Sequence, residues 1–225
     1  MTEGLFITAT DTGVGKTYLT ALIARSLRAA GVRVGAYKPV CSGAEYAADG
    51  RVSWGDVRAL TDAIGGEFDA ERVCPLRLRA PLAPPVAAKM EGLWLDLAAM
   101  QAGAAWWDGH VDVLLVEGVG GFLCPLTEDK TIADLAVALG YPLLVVARAG
   151  LGTINHTLLT VEAARSRGLT VAGVILNEAE PLAETLGTDQ NAAEIARRAN
   201  VRVLGSVKHA GHGDLDAAEW LRLIG

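Results

Sequence analysis

The chain has 225 residues, of which 51% are apolar and only 5% aromatic, and its formal charge is −6. That length suits one sizeable α/β domain, and the shortage of aromatics favours a buried parallel sheet under helices over a β-sandwich. The negative balance argues against a broad basic surface for nucleic acid or anionic lipid, so a phosphate site has to be local.

Met1 to Thr10 carries no basic stretch and too short an apolar run for a leader, and no later run reaches the roughly 18 residues of a membrane helix. Leu5 to Thr8 is a short β-rich run. A glycine-punctuated turn follows, then a helix over Thr17–Ala30, where Leu19, Leu22, Ile23 and Leu27 recur at helical spacing before Gly31. Val32–Tyr37 reads as the next strand, completing a βαβ-type unit, and Asp56–Ile64 as a helix. Residues 65–92, with Pro75, Pro81, Pro84 and Pro85, are expected to be mostly loop with one short strand at most. Leu93–Trp107 reads as a helix whose terminal Trp106 and Trp107 belong to the core or its rim, and Val113–Glu117 as a buried strand.

Regular alternation follows. Helices are expected at Thr131–Leu139, Ile154–Ser166, Gln190–Ala199 and Leu215–Leu223, and strands at Leu143–Ala147, Val171–Leu176 and Val201–Leu204. No repeat, low-complexity tract or linker interrupts it. The pattern predicts a single domain over residues 1–225, with a mostly parallel central sheet flanked by helices on both faces. Cys41, Cys74 and Cys124 form neither a CxxC pair nor a metal-ligand spacing, which reads as reduced thiols in a cytoplasmic protein.

The strongest local signal is TATDTGVGKT, Thr8 to Thr17, between a strand and a helix. Gly13 and Gly15 allow the backbone N–H groups of this loop, Val14 included, to approach phosphate oxygens. Lys16 can neutralise their charge and the Thr17 hydroxyl can ligate Mg²⁺. Thr10 stands where the strict pattern has glycine, so this is a variant P-loop, and the whole predicts a P-loop NTPase-type fold. Glu117 closes a later strand, and Gly118, Val119, Gly120 and Gly121 after it let a second loop approach the phosphates. A strand-end acid is ordinarily solvated, but beside a P-loop it suits the metal.

Lys38, in YKPVCSG, follows the second strand and should sit at its C-terminal edge, where α/β ligands bind. Spacing alone would leave it an ordinary surface lysine. Taken together and in this order, TDTGVGKT, YKPVCSG, VEGVGG and LGTINHT resemble the dethiobiotin synthetase family, over most of the chain up to about Asn177.

That family closes the ureido ring of dethiobiotin from 7,8-diaminopelargonate, CO₂ and ATP with Mg²⁺, in biotin biosynthesis. The resemblance implies that Lys16, Lys38 and Thr12 are catalytic, with Lys38 nearer the carbamate, and that Thr12 and Ser42 hold the diamine or carbamate. Thr17, Asp56 and Glu117 resemble the Mg²⁺ ligands, with Asp49 as an alternative to Asp56. The nucleotide contacts implied are Gly13 to Tyr18, Glu117 to Gly120, Asn177 at the adenine, and Val207, Lys208 and His209. Lys208 stands where the family often has proline, which loosens the expected selectivity for ATP.

Gly152, Thr153, Ile154 and Asn155 open a helix with Thr153 placed as a cap. In the family this segment of a neighbouring subunit grips the substrate's distal carboxylate, implying a homodimer with a shared substrate site; a plain capping box is the other reading. His209 and His212 are expected to be solvated, because no third metal ligand is evident. Three alternatives remain. A partition-type NTPase switch, a binding module, is disfavoured by Asp11 where its signature lysine would be. An amidase-coupled cobyrinate-type synthetase is disfavoured because no glutaminase domain or nucleophile motif is read in the sequence, and an inactive scaffold is the third.

Overall fold

The computed structural model describes residues 2–181, 187–211 and 216–224. Its centre is a six-stranded sheet made of β1 (Glu3–Ala9), β2 (Val34–Tyr37), β7 (Val113–Glu117), β8 (Leu143–Arg148), β9 (Val171–Asn177) and β10 (Val203–Val207). The strand order is β10-β9-β8-β1-β7-β2, and every pairing is parallel. Strands this continuous in Val, Leu and Ile are buried on both faces, as a parallel sheet under helices requires.

The alternation along β8 shows how. Val145 and Ala147 pack with α7 (Thr153–Arg165) and α8 (Thr188–Ala199), whereas Leu144 and Val146 join the cluster that holds α1 (Lys16–Ala29) and α9 (Ala217–Ile224). Chain order reverses around β1, so the loops after β1 and β7 open side by side at the C-terminal edge, the position where such sheets bind ligands.

The region between β2 and β7 is richer than its prolines suggest. After β3 (Val40–Ser42), a small hairpin of β4 (Glu45–Tyr46) and β5 (Val52–Ser53) precedes α2 (Gly55–Ala63). The expected loop over residues 65–92 holds α3 (Ala70–Val73), β6 (Leu76–Leu78) and α4 (Pro84–Met90), with β6 pairing to β3. Pro84 and Pro85 start α4 rather than break it, since a first-turn N–H has no intrahelical acceptor to lose and the ring fixes a helical φ. Helix α5 (Leu97–Ala105) begins four residues later than expected, because the Asp96 carboxylate accepts the Ala98 N–H at 3.0 Å and caps it there. Trp107 is fully buried, with its ring 4.7 Å from Phe68 and 5.4 Å from Trp106.

Three further corrections bear on the site. β10 runs to Val207, paired with Asn177, so residues 205–207 are strand and not loop. Gly152, at φ 90°, caps α7, and Thr153 is its first helical residue with a buried side chain. After α6 (Ile132–Leu139), β8 extends to Arg148, one residue past the expected end. His212 and Leu215, the expected start of the last helix, lie outside the described residues.

Candidate active site

β1 ends at Ala9, and the chain turns through residues 10–15 into α1. Gly13 and Gly15 have φ of 72° and 93°, in the left-handed region that side chains disfavour. A Cβ on Gly15 would lie 2.1 Å from Asn177 Nδ2, so glycine is also needed there for close approach. Asn177, at the end of β9 and 3% exposed, donates from Nδ2 to the Val14 carbonyl at 2.9 Å. It thereby pins the phosphate loop from across the sheet edge.

Glu117 ends β7 and is fully buried. Its Oε1 accepts from the Thr17 hydroxyl at 2.7 Å and from Lys38 Nζ at 2.6 Å. Lys38 Nζ also donates to Asp56 Oδ2 at 2.5 Å. Lys38, placed just past β2, is only 3% exposed. Burial alone would lower its pKa, but Glu117 and Asp56 outweigh burial and hold the ammonium above its ordinary value. For Asp56 burial acts upward, and Lys38, through charge and hydrogen bonding, brings the carboxyl below its ordinary value. Lys16 donates to the Asp11 carbonyl at 3.3 Å, and burial leaves its pKa lowered.

These groups line one cavity of about 520 Å³. Of the expected residues, Thr12, Gly13, Gly15, Lys16, Thr17, Tyr18, Lys38, Ser42, Asp56, Val119, Gly120, Asn177 and His209 face it. Glu117 stands behind Thr17 and Lys38, and Val14 is buried under the loop. Gly118 is outside the lining: a Cβ there would lie 2.9 Å from Ile132. Val207 is buried in β10, and Lys208 reaches Glu178. Asp49 is exposed and bonded to Arg51, so Asp56 is the acid at the site. Gly152 to Asn155 do not line this cavity.

Glu178, Ala179 and Ala210 also face the cavity and were not expected. Glu178 was findable, being a second acid just past a strand end, as Glu117 is at its own.

The donor set fits Mg²⁺. Glu117 Oε2 is buried and without a hydrogen-bond partner among the described residues, next to the Thr17 hydroxyl. No group of three or more His, Cys, Asp or Glu forms a metal cage among the described residues. A hydroxyl with two carboxylates suits a hard cation that keeps several waters and leans on phosphate oxygens. His209 is exposed, its Nδ1 lying 3.1 Å from the Ala179 carbonyl. No helix among the described residues is long and apolar enough to cross a membrane.

Comparisons with known proteins extend this. A family model described as an AAA domain matches residues 3–212. The ATP-dependent dethiobiotin synthetase BioD of Anaeromyxobacter dehalogenans is 49% identical over 87% of this chain and 85% of its own. That of Methanocaldococcus jannaschii is 37% identical over 97% of this chain and 100% of its own. Among solved structures, the septum site-determining protein MinD of Pyrococcus horikoshii superposes with a TM-score of 0.56 at 16% identity, covering 100% of this chain and 95% of that one. A ParA family ATPase of Chlorobium tepidum gives 0.56 at 11% identity, covering 99% and 89%. These last two share the fold alone, so the likeness to partition-type ATPases stops at the architecture. Identity of 37–49% along nearly whole chains reaches well past the fold: this chain belongs to the ATP-dependent dethiobiotin synthetase family.

Proposed function

We propose that the protein closes the ureido ring of dethiobiotin from 7,8-diaminopelargonate, CO₂ and ATP, with Mg²⁺. The observation that carries this reading is Lys38, a buried cation between Glu117 and Asp56 in the cavity that also holds the phosphate loop. Nucleotide binding by itself has no use for a second lysine at the end of β2, whereas phosphorylation of a carbamate does.

One amine of the substrate takes up CO₂ as a carbamate, the carbamate oxygen takes the γ-phosphoryl group of ATP, and ADP leaves. The second amine then attacks the carbonyl carbon, closing the ring and releasing phosphate. When bound, Mg²⁺ neutralises charge between the phosphates, and Thr17, Glu117 and Asp56 are the side chains that would hold it. The backbone of residues 12–15 presents N–H groups to the phosphates and Lys16 offsets their charge. Lys38 supplies positive charge on the carbamate side, and Thr12 and Ser42 supply hydroxyls that orient the amine and carbamate. Lysines held by burial and fixed partners need little reorganisation as charge builds on the reacting oxygens.

The segment Gly152–Asn155 lies outside this cavity and has no acidic residue in its first turn. Its place in the proposal is therefore on a second copy of the chain, as the N–H-rich helix start that meets the far carboxylate of the substrate in a homodimer.

The deciding assay is ADP release with diamine and bicarbonate, each omitted in turn. Turnover should require both. Equal hydrolysis with either omitted would remove the synthetase reading and leave a nucleotide switch.

A further inference from the structure

The cavity has two unlike sides. Lys38, Ser42 and Asp56 belong to the β2 side of β1, while Glu178, Ala179, His209 and Ala210 follow β9 and β10 on the other. With the phosphate loop between them and the reacting end of a nucleotide facing Lys38, the base falls to the β9–β10 side. That wall is built from two separate loops.

An unusual set of bonds joins those loops. Glu178 is 6% exposed, and its Oε1 accepts from Lys208 Nζ at 2.8 Å. The Glu178 N–H donates to the Val207 carbonyl at 2.9 Å. His209 Nδ1 lies 3.1 Å from the Ala179 carbonyl. The second loop is also tied to α1, because the Tyr18 hydroxyl donates to the Gly211 carbonyl. Within it, the Gly211 N–H donates to the Lys208 carbonyl at 2.8 Å, closing a turn in which Ala210 has φ 53°. A non-glycine residue in the left-handed region persists where its surroundings hold it, and such residues concentrate at ligand sites.

We propose that Glu178 and Lys208 form an ionic latch that fixes the base-side wall, making both positioning residues for nucleotide binding. This rests on the reading that the cavity takes ATP. The latch acts in two ways. It holds the turn of residues 208–211, with His209 and Ala210, against residues 178–179. It also supplies the counter-charge that lets the Glu178 carboxylate stay buried between the two loops, so that they remain closed on each other. Phosphate binding, carried by the glycine loop and Lys16, is independent of it.

Calorimetry on the full chain with two probes separates these roles: ADP with Mg²⁺, and inorganic tripolyphosphate with Mg²⁺, which has no base or ribose. Glu178→Gln keeps the shape and removes the charge. It should weaken ADP by about five- to tenfold, as expected for a charge-assisted hydrogen bond at a half-buried site, and leave tripolyphosphate within about twofold. The KM for ATP should rise to match while kcat at saturation holds within about twofold. Lys208→Met should act in the same direction, and it tests the latch even if Glu178→Gln does not fold, because the Lys208 side chain is 55% exposed. The double variant Glu178→Gln with Lys208→Met should lose no more than either single variant, because both remove the same bond.

Unchanged ADP affinity in the single variants overturns the latch. So does a parallel loss of both probes, which would mean general loosening, and so does a double variant whose defects simply add. Wild-type protein that binds neither probe would refute the nucleotide reading itself, a result distinct from any of these.

Discussion

Replacing Lys38 with glutamine separates a catalytic cation from a structural one. The side chain is 3% exposed and touches two carboxylates, at 2.5 and 2.6 Å. Breaking a fully buried pair costs about 3–5 kcal/mol. The Asp56 side chain is 44% exposed and glutamine can still donate to Glu117, so the discounted stability loss is about 1–3 kcal/mol. Millimolar Mg²⁺ should return more stability to the variant than to the wild type, since it replaces the missing positive charge between Glu117 and Asp56. The kinetic effect should be larger. If the ammonium stabilises charge that grows on the carbamate in the transition state, kcat should fall by roughly 10²–10³-fold, about 3–4 kcal/mol. The ADP Kd should shift little, because the phosphate loop and Lys16 are intact. Measuring kcat by ADP release, ADP Kd by calorimetry and Tm with and without Mg²⁺ on one sample distinguishes the contributions. Near-normal turnover, or joint loss of ADP binding and turnover in a folded variant, would refute the role given to Lys38.

Three other substitutions probe the neighbouring parts. Glu117→Gln should keep the fold and weaken Mg²⁺-dependent nucleotide binding by about tenfold or more, as a ligand charge is lost with shape retained; an unaltered Mg²⁺ dependence by calorimetry would place Glu117 away from the metal. Gly15→Ala should destabilise more than Gly13→Ala. Both pay the left-handed penalty of about 1–2 kcal/mol, but only at Gly15 does the new Cβ meet Asn177, at 2.1 Å, while nothing lies within 4 Å at Gly13. Equal losses in denaturant titration would contradict the pinned loop. Asp56 has a folded-state pKa below its ordinary 3.8, so its contribution to stability is present above that value and is lost as pH falls through the lower, folded one. Tm measured from pH 2 to 6 should therefore show a shallower acid limb in Asp56→Asn than in wild type, and identical limbs would mean that the Lys38 contact is absent in solution.

Some of this was legible in the residues and some was not, for physical reasons. The span Val113–Glu117 is continuous in apolar residues and ends in an acid, and the strand has those same bounds. The phosphate loop announced itself because glycines, lysine and threonine must occur together in sequence to meet one phosphate group. The bond from Asn177 to Val14, by contrast, spans 163 positions, and only the parallel pairing of distant strands brings it about. The helix at Pro84–Met90 was misread because proline breaks helices in their interior yet suits their first turn, and local composition does not say which turn it occupies. The contact of Glu178 with Lys208 was hidden by the expected end of the last strand. With β10 ending at Leu204, Val207 and Lys208 look like one loop; with it ending at Val207, Lys208 is the first residue free to reach Glu178.

The charge pattern explains how such a site can exist before any ligand binds. Lys16, Lys38 and Glu117 are 7%, 3% and 0% exposed, which for isolated charges would be prohibitive. They coexist with Asp56 because two cations and two anions balance at one site, with Lys38 bonded to both acids. Lys38 is the hinge of that balance, donating to both acids that a metal would need. Yet hydrogen bonding at the site is incomplete, since Glu117 Oε2 is buried with no partner among the described residues. An unpaired buried acceptor costs about 1–3 kcal/mol, and a fold selected for stability alone would fill it. Its persistence beside Thr17 fits the proposed holding of Mg²⁺ by Thr17, Glu117 and Asp56.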